Sequence, residues 1–157
     1  MRKIKILFVC HGNICRSTMA ESVFSYQVNQ RNLSDRIFVS SAATSREEIG
    51  NPPHPGTVKK LREVGIPVVP HRAVQMTMKD YEEYDFLIGM DDWNIRNMNR
   101  MVGGDPLKKI YKLLSFAQST ADIADPWYTG NFQETYEDIL MGLEGFWAFL
   151  EKEYGIH

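Results

Sequence analysis

Cys10 and Arg16 stand with five residues between them in the run Cys10-His11-Gly12-Asn13-Ile14-Cys15-Arg16-Ser17. A thiol is a nucleophile as its thiolate. A guanidinium, charged at every relevant pH, offers a planar fork that holds two oxygens of a phosphoryl group. Ser17 adds a hydroxyl that can donate a hydrogen bond to the sulfur. Together these are the parts for nucleophilic attack on phosphorus. Such an attack needs a proton for the departing oxygen, and Asp125, followed by Pro126 and two aromatics, Trp127 and Tyr128, offers a carboxyl group for it. Taken alone, Asp125-Pro126 also reads as an ordinary turn.

These groups act together only if the chain places them so. Ile4-Lys5-Ile6-Leu7-Phe8-Val9 is a short apolar run with β-branched residues, and it reads as a buried strand ending at Cys10. After the turn, Met19, Ala20, Val23, Phe24 and Val28 fall on the stripe of an amphipathic helix that begins near Arg16. Between them lie Gly12 and Asn13, the residue types most tolerant of positive φ. Backbone N–H groups in such a turn converge on one point, and the helix N-terminus adds its unpaired donors and positive partial charge. The turn is therefore expected to be an anion nest that holds the Cys10 sulfur ionised.

Further strands are expected over 37–42, 85–90 and 109–114, and helices over 57–64, from Thr77, over 91–101 and from Asn131 onward. Gly65 is placed to end the second helix. Asn131 and Glu134 have the spacing of a capping box, and Tyr136, Ile139, Leu140, Leu143, Phe146, Trp147 and Leu150 trace the buried stripe of a long last helix. Strands alternating with helices give parallel β-α-β units, hence an α/β fold. In such a sheet ligands bind beyond the carboxyl ends of the strands, which is where the Cys10 turn falls.

The 157 residues suffice for one domain with a single core, taken as 1–157. A net charge of −2 gives no bulk attraction to nucleic acid or an anionic membrane, and neither is expected as a partner. The longest apolar runs are far short of a bilayer span. Lys5 interrupts the first of them, unlike a secretory leader, so a cytoplasmic protein is expected. Only two cysteines occur, both in the turn, which does not fit a disulfide-stapled scaffold. The four histidines, at 11, 54, 71 and 157, are scattered, and neither a metal site nor a cofactor is expected.

The run from Val9 to Ser17, with Ala20-Glu21 following, resembles the signature of the low-molecular-weight protein tyrosine phosphatases. The resemblance continues in Ser41-Ala42-Ala43-Thr44-Ser45, Ile49-Gly50-Asn51-Pro52-Pro53, Gly65-Ile66, Met90-Asp91 and Asp125-Pro126-Trp127-Tyr128, and so spans nearly the whole chain. It implies a three-layer domain whose four-stranded parallel sheet has the order 2-1-3-4. It also implies that Cys10 attacks, that Arg16 binds the phosphoryl group, and that Asp125 serves as acid and then as base. His11, Gly12, Asn13, Ile14, Cys15 and Ser17 would form the phosphate-binding loop, Glu47, Trp127 and Tyr128 the substrate cleft, and Ser41 and His71 supporting contacts. The implied substrate is a tyrosine-phosphorylated protein or a small aryl phosphate; oligomeric state is left open.

Two departures from the family pattern stand out. An aromatic is common where this chain has Glu47, and Arg where it has Val74. Relatives that act on phosphoarginine carry threonine where this chain has Ile14, so Ile14 points to phosphotyrosine. Cys15 is either a small buried hydrophobe or a partner that traps oxidised Cys10 as a disulfide. An arsenate reductase on the same fold would need further cysteines to relay a disulfide, and none follows Cys15. A silent phosphate-binding module would have no use for Asp125.

Overall fold

The computed structural model describes residues 2–156. In chain order the elements are β1 Ile4–Cys10, α1 Arg16–Gln30, β2 Ile37–Ala43, α2 Pro55–Glu63, α3 Met78–Glu83, β3 Phe86–Gly89, α4 Asp92–Val102 and β4 Ile110–Lys112. A 3₁₀ segment, Leu113–Ala117, then leads to α5 Pro126–Thr129 and α6 Phe132–Tyr154. The sheet is parallel and its order is β2-β1-β3-β4. β1 therefore lies between two neighbours, and its last residue, Cys10, is in register with Ala43 at the end of β2.

Because side chains alternate along a strand, β1 feeds both faces of the sheet. Ile6 and Phe8 point into a core shared with α1 and α6, where Phe24 meets Phe146 at 5.5 Å and Trp147 at 4.8 Å between ring centroids. Leu7 and Val9 point into the opposite layer with Leu87, Met98 and Val102. A strand covered on both sides has no polar face to show, which is why its sequence is an apolar run rather than an alternation. Helices on both faces give three layers. No helix among the described residues is long and apolar enough to cross a membrane.

Several boundaries differ from expectation for identifiable reasons. The strand expected over 109–114 stops at Lys112, and Leu113 and Leu114 turn into the 3₁₀ segment. Gly142 and Gly145 of α6 let that segment approach: a Cβ on Gly142 would lie 2.5 Å from Leu113 Cγ, and one on Gly145 would lie 2.2 Å from the Phe116 carbonyl oxygen. Helix α2 starts two residues early, at Pro55, whose fixed φ suits a first helical turn. Gly65 follows α2 with φ +74°, as expected of a residue that ends a helix. Asn131 caps α6 by accepting from the Glu134 amide, but Glu134 does not bond back to the Asn131 amide, so the box is half made. α1 buries not a stripe but its whole first half, Arg16 to Phe24, because it enters the middle of the domain directly below the turn.

Candidate active site

Cys10 closes the central strand and is 3% exposed. Its Sγ lies 3.3 Å from the Asn13 amide nitrogen, which donates to it, and 3.1 Å from Ser17 Oγ. The turn is held from behind. The Thr44 amide donates to the Cys10 carbonyl, the Ser45 amide to the His11 carbonyl, and the His54 amide to the Ile14 carbonyl. Among the described residues no protein acceptor takes the amides of Gly12, Ile14 or Cys15. They remain as donors to an anion, as the nest requires. The positive φ falls on Asn13 (φ 59°) and not on Gly12. One left-handed residue is enough to reverse the loop, and the smallness of Gly12 serves instead to let the Glu48 stem lie over it, 3.4 Å from where a Cβ would be.

Asn13 is fully buried, and both polar atoms of its side chain are engaged. Its side-chain nitrogen, Nδ2, donates to Ser17 Oγ at 2.8 Å and to Ser41 Oγ at 2.9 Å. Its carbonyl oxygen accepts from the Val74 amide at 3.2 Å, which fixes the orientation of the side-chain amide. The contact of that same oxygen with His71 Nε2, at 2.7 Å, must then be a donation from a protonated Nε2. Ser17, with Asn13 donating to its oxygen, is free to direct its own proton at the sulfur.

Behind Asn13 lies a group that the sequence reading did not single out. Glu21 is buried, accepts from Ser41 Oγ at 2.5 Å, and stands 3.7 Å from His71 Nδ1. Burial pushes its carboxyl up to about 7, with the Ser41 hydrogen bond opposing. Burial likewise lowers His71. Both shifts favour the uncharged forms, so the contact is closer to an acid beside an imidazole than to an ion pair. In the sequence it appears only in the Ala20-Glu21 pair that follows the signature run, with no role attached.

Arg16 is 2% exposed and held by one edge. Its Nη1 donates to Asp91 Oδ2 at 2.6 Å and to the Ile123 carbonyl at 2.9 Å. Asp91 also caps α4 through its other oxygen, which accepts from the Asn94 amide at 2.7 Å. Nε is buried without a partner, and Nη2 has Asp125 Oδ2 at 3.6 Å. Burial opposes the guanidinium charge, but Cys10, Asp91 and Asp125 outweigh it, and its pKa is raised. Cys15, by contrast, is pushed up to about 12, by burial first and by Cys10 and Asp125 after it, so its thiol keeps its proton. It packs with Ile14 and Ala73.

Asp125 is not in a plain loop but caps the short helix α5, accepting from the Trp127 amide at 3.1 Å. Pro126 occupies the first helical position, so the dipeptide starts a helix and points the carboxylate back across the turn. Cys10, Ile14, Asp125, Trp127, Tyr128 and Glu47 all line one hollow of about 100 Å³, room for a tetrahedral anion. His11 lines it too, with Nε2 2.8 Å from Glu47 Oε2. Two further residues, absent from the expected set, shape this mouth. Glu48 is part of the lining, and His54 stacks on Phe132 (5.4 Å) and meets Trp127 edge-on (5.6 Å). Ser41 and His71 lie outside the hollow, in the layer that holds Asn13. Val74 is exposed and contributes its amide, not its side chain. Among the described residues no group of three or more His, Cys, Asp or Glu side chains is arranged to hold a metal ion.

A family model described as low molecular weight phosphotyrosine protein phosphatase matches residues 5–155. The low molecular weight protein-tyrosine-phosphatase YfkJ of Bacillus subtilis is 40% identical over 152 residues, 96% of this chain and 97% of its own length. PtpA of Staphylococcus epidermidis is 34% identical over 151 residues, 96% of each chain. Among solved structures, the crystal structure of YfkJ superposes with a TM-score of 0.94 at 39% identity over 98% of both chains. A Drosophila arginine phosphatase superposes with a TM-score of 0.87 at 29% identity, covering 95% of this chain and 99% of its own.

Proposed function

This chain belongs to the low molecular weight phosphotyrosine protein phosphatase family, and from that premise we propose that it hydrolyses phosphotyrosine in proteins, and small aryl phosphates, through a phosphocysteine. The observation that carries the reading is the hollow shared by Cys10 and Asp125, with a sulfur that accepts from the Asn13 amide at its floor. In the first step the Cys10 sulfur forms a bond to phosphorus as the bond to the phenolic oxygen breaks, and that oxygen takes the proton of Asp125. In the second, water attacks phosphorus, the S–P bond breaks, and the proton of the water passes to the Asp125 carboxylate. Inorganic phosphate leaves, and the thiolate is restored.

Arg16 serves the transferring group with the edge its partners leave open. Nη1 is occupied, while Nε and Nη2 are available to two phosphoryl oxygens, the bidentate arrangement a guanidinium makes best. The amides of Gly12, Ile14 and Cys15 supply donors to the remaining charge. Ile14, 9% exposed, gives the neck of the hollow an apolar side chain, which suits a phenyl ring better than a guanidinium. The chemistry requires a reduced thiol, which fits the cytoplasmic location we infer.

Turnover of p-nitrophenyl phosphate without added metal is the direct test, followed by release of phosphate from phosphotyrosine and phosphoarginine peptides of one sequence. Tyrosine is expected to be the faster substrate. Preference for phosphoarginine would overturn the tyrosine assignment, and no turnover of any of the three would overturn the enzyme.

A further inference from the structure

The mouth of the hollow carries charge that the reaction above does not use. Its lining holds three carboxylates, Glu47, Glu48 and Asp125, one imidazole, His11, and neither lysine nor arginine. Arg46, next to Glu47 in the chain, lies outside the lining, and Arg16 is buried and already bonded to Asp91. Asp125 is engaged in proton transfer. Glu47 and Glu48 have no such task.

Both glutamates are held at the rim. The Glu47 side chain is 70% exposed and meets His11 Nε2 at 2.8 Å. The Glu48 carboxylate accepts from Asn51 Nδ2 at 2.6 Å while its stem covers Gly12. A phosphomonoester brings up to two negative charges past this rim. Like charges repel, and a cation carried beside the phosphate offsets the repulsion and is attracted in its own right.

We propose that Glu47 and Glu48 select phosphotyrosine sites flanked by lysine or arginine and disfavour sites flanked by aspartate or glutamate. The inference rests on the phosphatase reading of this same hollow. Exposed ion pairs are each worth a factor of about 1.7 to three, so the two together give roughly three- to tenfold in kcat/KM. The preference is electrostatic and narrows as salt is added.

The test compares phosphotyrosine peptides that differ only in whether lysine or glutamate stands on either side of the phosphotyrosine, with p-nitrophenyl phosphate alongside. For each enzyme the ratio of kcat/KM between the two peptides is read, so any change common to both cancels. The native protein is expected to favour the lysine peptide three- to tenfold at low salt. The double variant Glu47→Gln, Glu48→Gln, which keeps an acceptor for Asn51, should bring the ratio toward one, and Glu47→Lys should push it toward the acidic peptide. A ratio near one in the native enzyme, or a preference that survives in both variants, overturns the proposal. If p-nitrophenyl phosphate is hydrolysed but the peptides are not distinguished, this inference fails alone. If p-nitrophenyl phosphate is not hydrolysed, the phosphatase reading fails and takes the inference with it.

Discussion

The floor and the rim of the hollow are built on opposite principles. At the floor Cys10, Asn13, Arg16 and Ser17 are all at most 3% exposed, and Asn13 and Arg16 are fixed by neighbours from other parts of the chain. Asn13 alone joins the turn to β2, to His71 and to the backbone at Val74. At the rim Trp127 is 57% exposed and Tyr128 82%, and the Glu47 carboxylate meets the His11 ring. Buried polar groups are strong where every partner is present and costly where one is missing, so a floor of this kind has one geometry. An exposed rim gains little from any single contact, and it can change with small loss of stability. Chemistry belongs where the geometry is forced, selection where it is not.

The sharpest way to break this contrast is at the sulfur. Cys10→Ser keeps the shape of the site but removes the thiolate, and turnover should fall to the uncatalysed background while binding of phosphate survives. Measurable activity in that variant would remove covalent catalysis from the account. Asp125→Ala comes next, with kcat lowered by roughly 10²- to 10⁴-fold. Because the second step also loses its base, an aryl phosphate with a good leaving group should leave a phosphocysteine detectable by mass spectrometry. A variant that turns over normally would assign proton transfer elsewhere.

Glu21 tests whether the floor is held by neutral hydrogen bonds rather than by charge. Its carboxyl lies at about 7 against an ordinary value of 4.5. A raised carboxyl means that the folded state binds the proton more tightly than the unfolded one. Its stabilisation is therefore present at low pH and is lost as pH rises from 4.5 through about 7. His71, lowered by burial, works in the opposite sense: its contribution is full above its ordinary range and is lost as pH falls. Glu21→Gln, neutral at every pH, should match the native protein near pH 4 and exceed it in stability above pH 7, by about 3 kcal/mol at most. Denaturant midpoints across that range decide it, and parallel curves for the two proteins would return Glu21 to the ordinary carboxylates.

The same contrast explains what the sequence made legible. The β1 run, the Cys10–Ser17 spacing and the α6 stripe are local patterns, and strand, turn and helix formed where those patterns said. The sheet order came from resemblance, since no local signal states which strands are neighbours. Glu21 and His54 were missed because their importance is non-local. One is a glutamate among apolar residues until β2 and the His71 segment close over it, and the other is a loop histidine until Phe132 arrives from α6. The end of β4 was misjudged for the same reason, as Leu113 turns away to meet a glycine almost thirty residues later in the chain. Asp91, at the start of the helix expected over 91–101, caps α4 with one oxygen and holds the guanidinium with the other.

The smallest effect is the one that separates floor from rim most cleanly. Tyr128 is 82% exposed and among the described residues no other ring stacks on it, so removing it costs the free protein almost nothing. What it offers a bound phenyl group is one aromatic contact, worth about 0.5–1.5 kcal/mol beyond the area it covers. Tyr128→Ala should therefore raise KM for p-nitrophenyl phosphate roughly two- to tenfold and leave kcat alone, because the contact is the same before and during the chemical step. An alkyl phosphate, with no ring to stack, should lose less. A fall in kcat instead would mean that the exposed ring helps position Asp125, three residues before it at the N-cap of α5, and the rim would then belong in part to the chemistry.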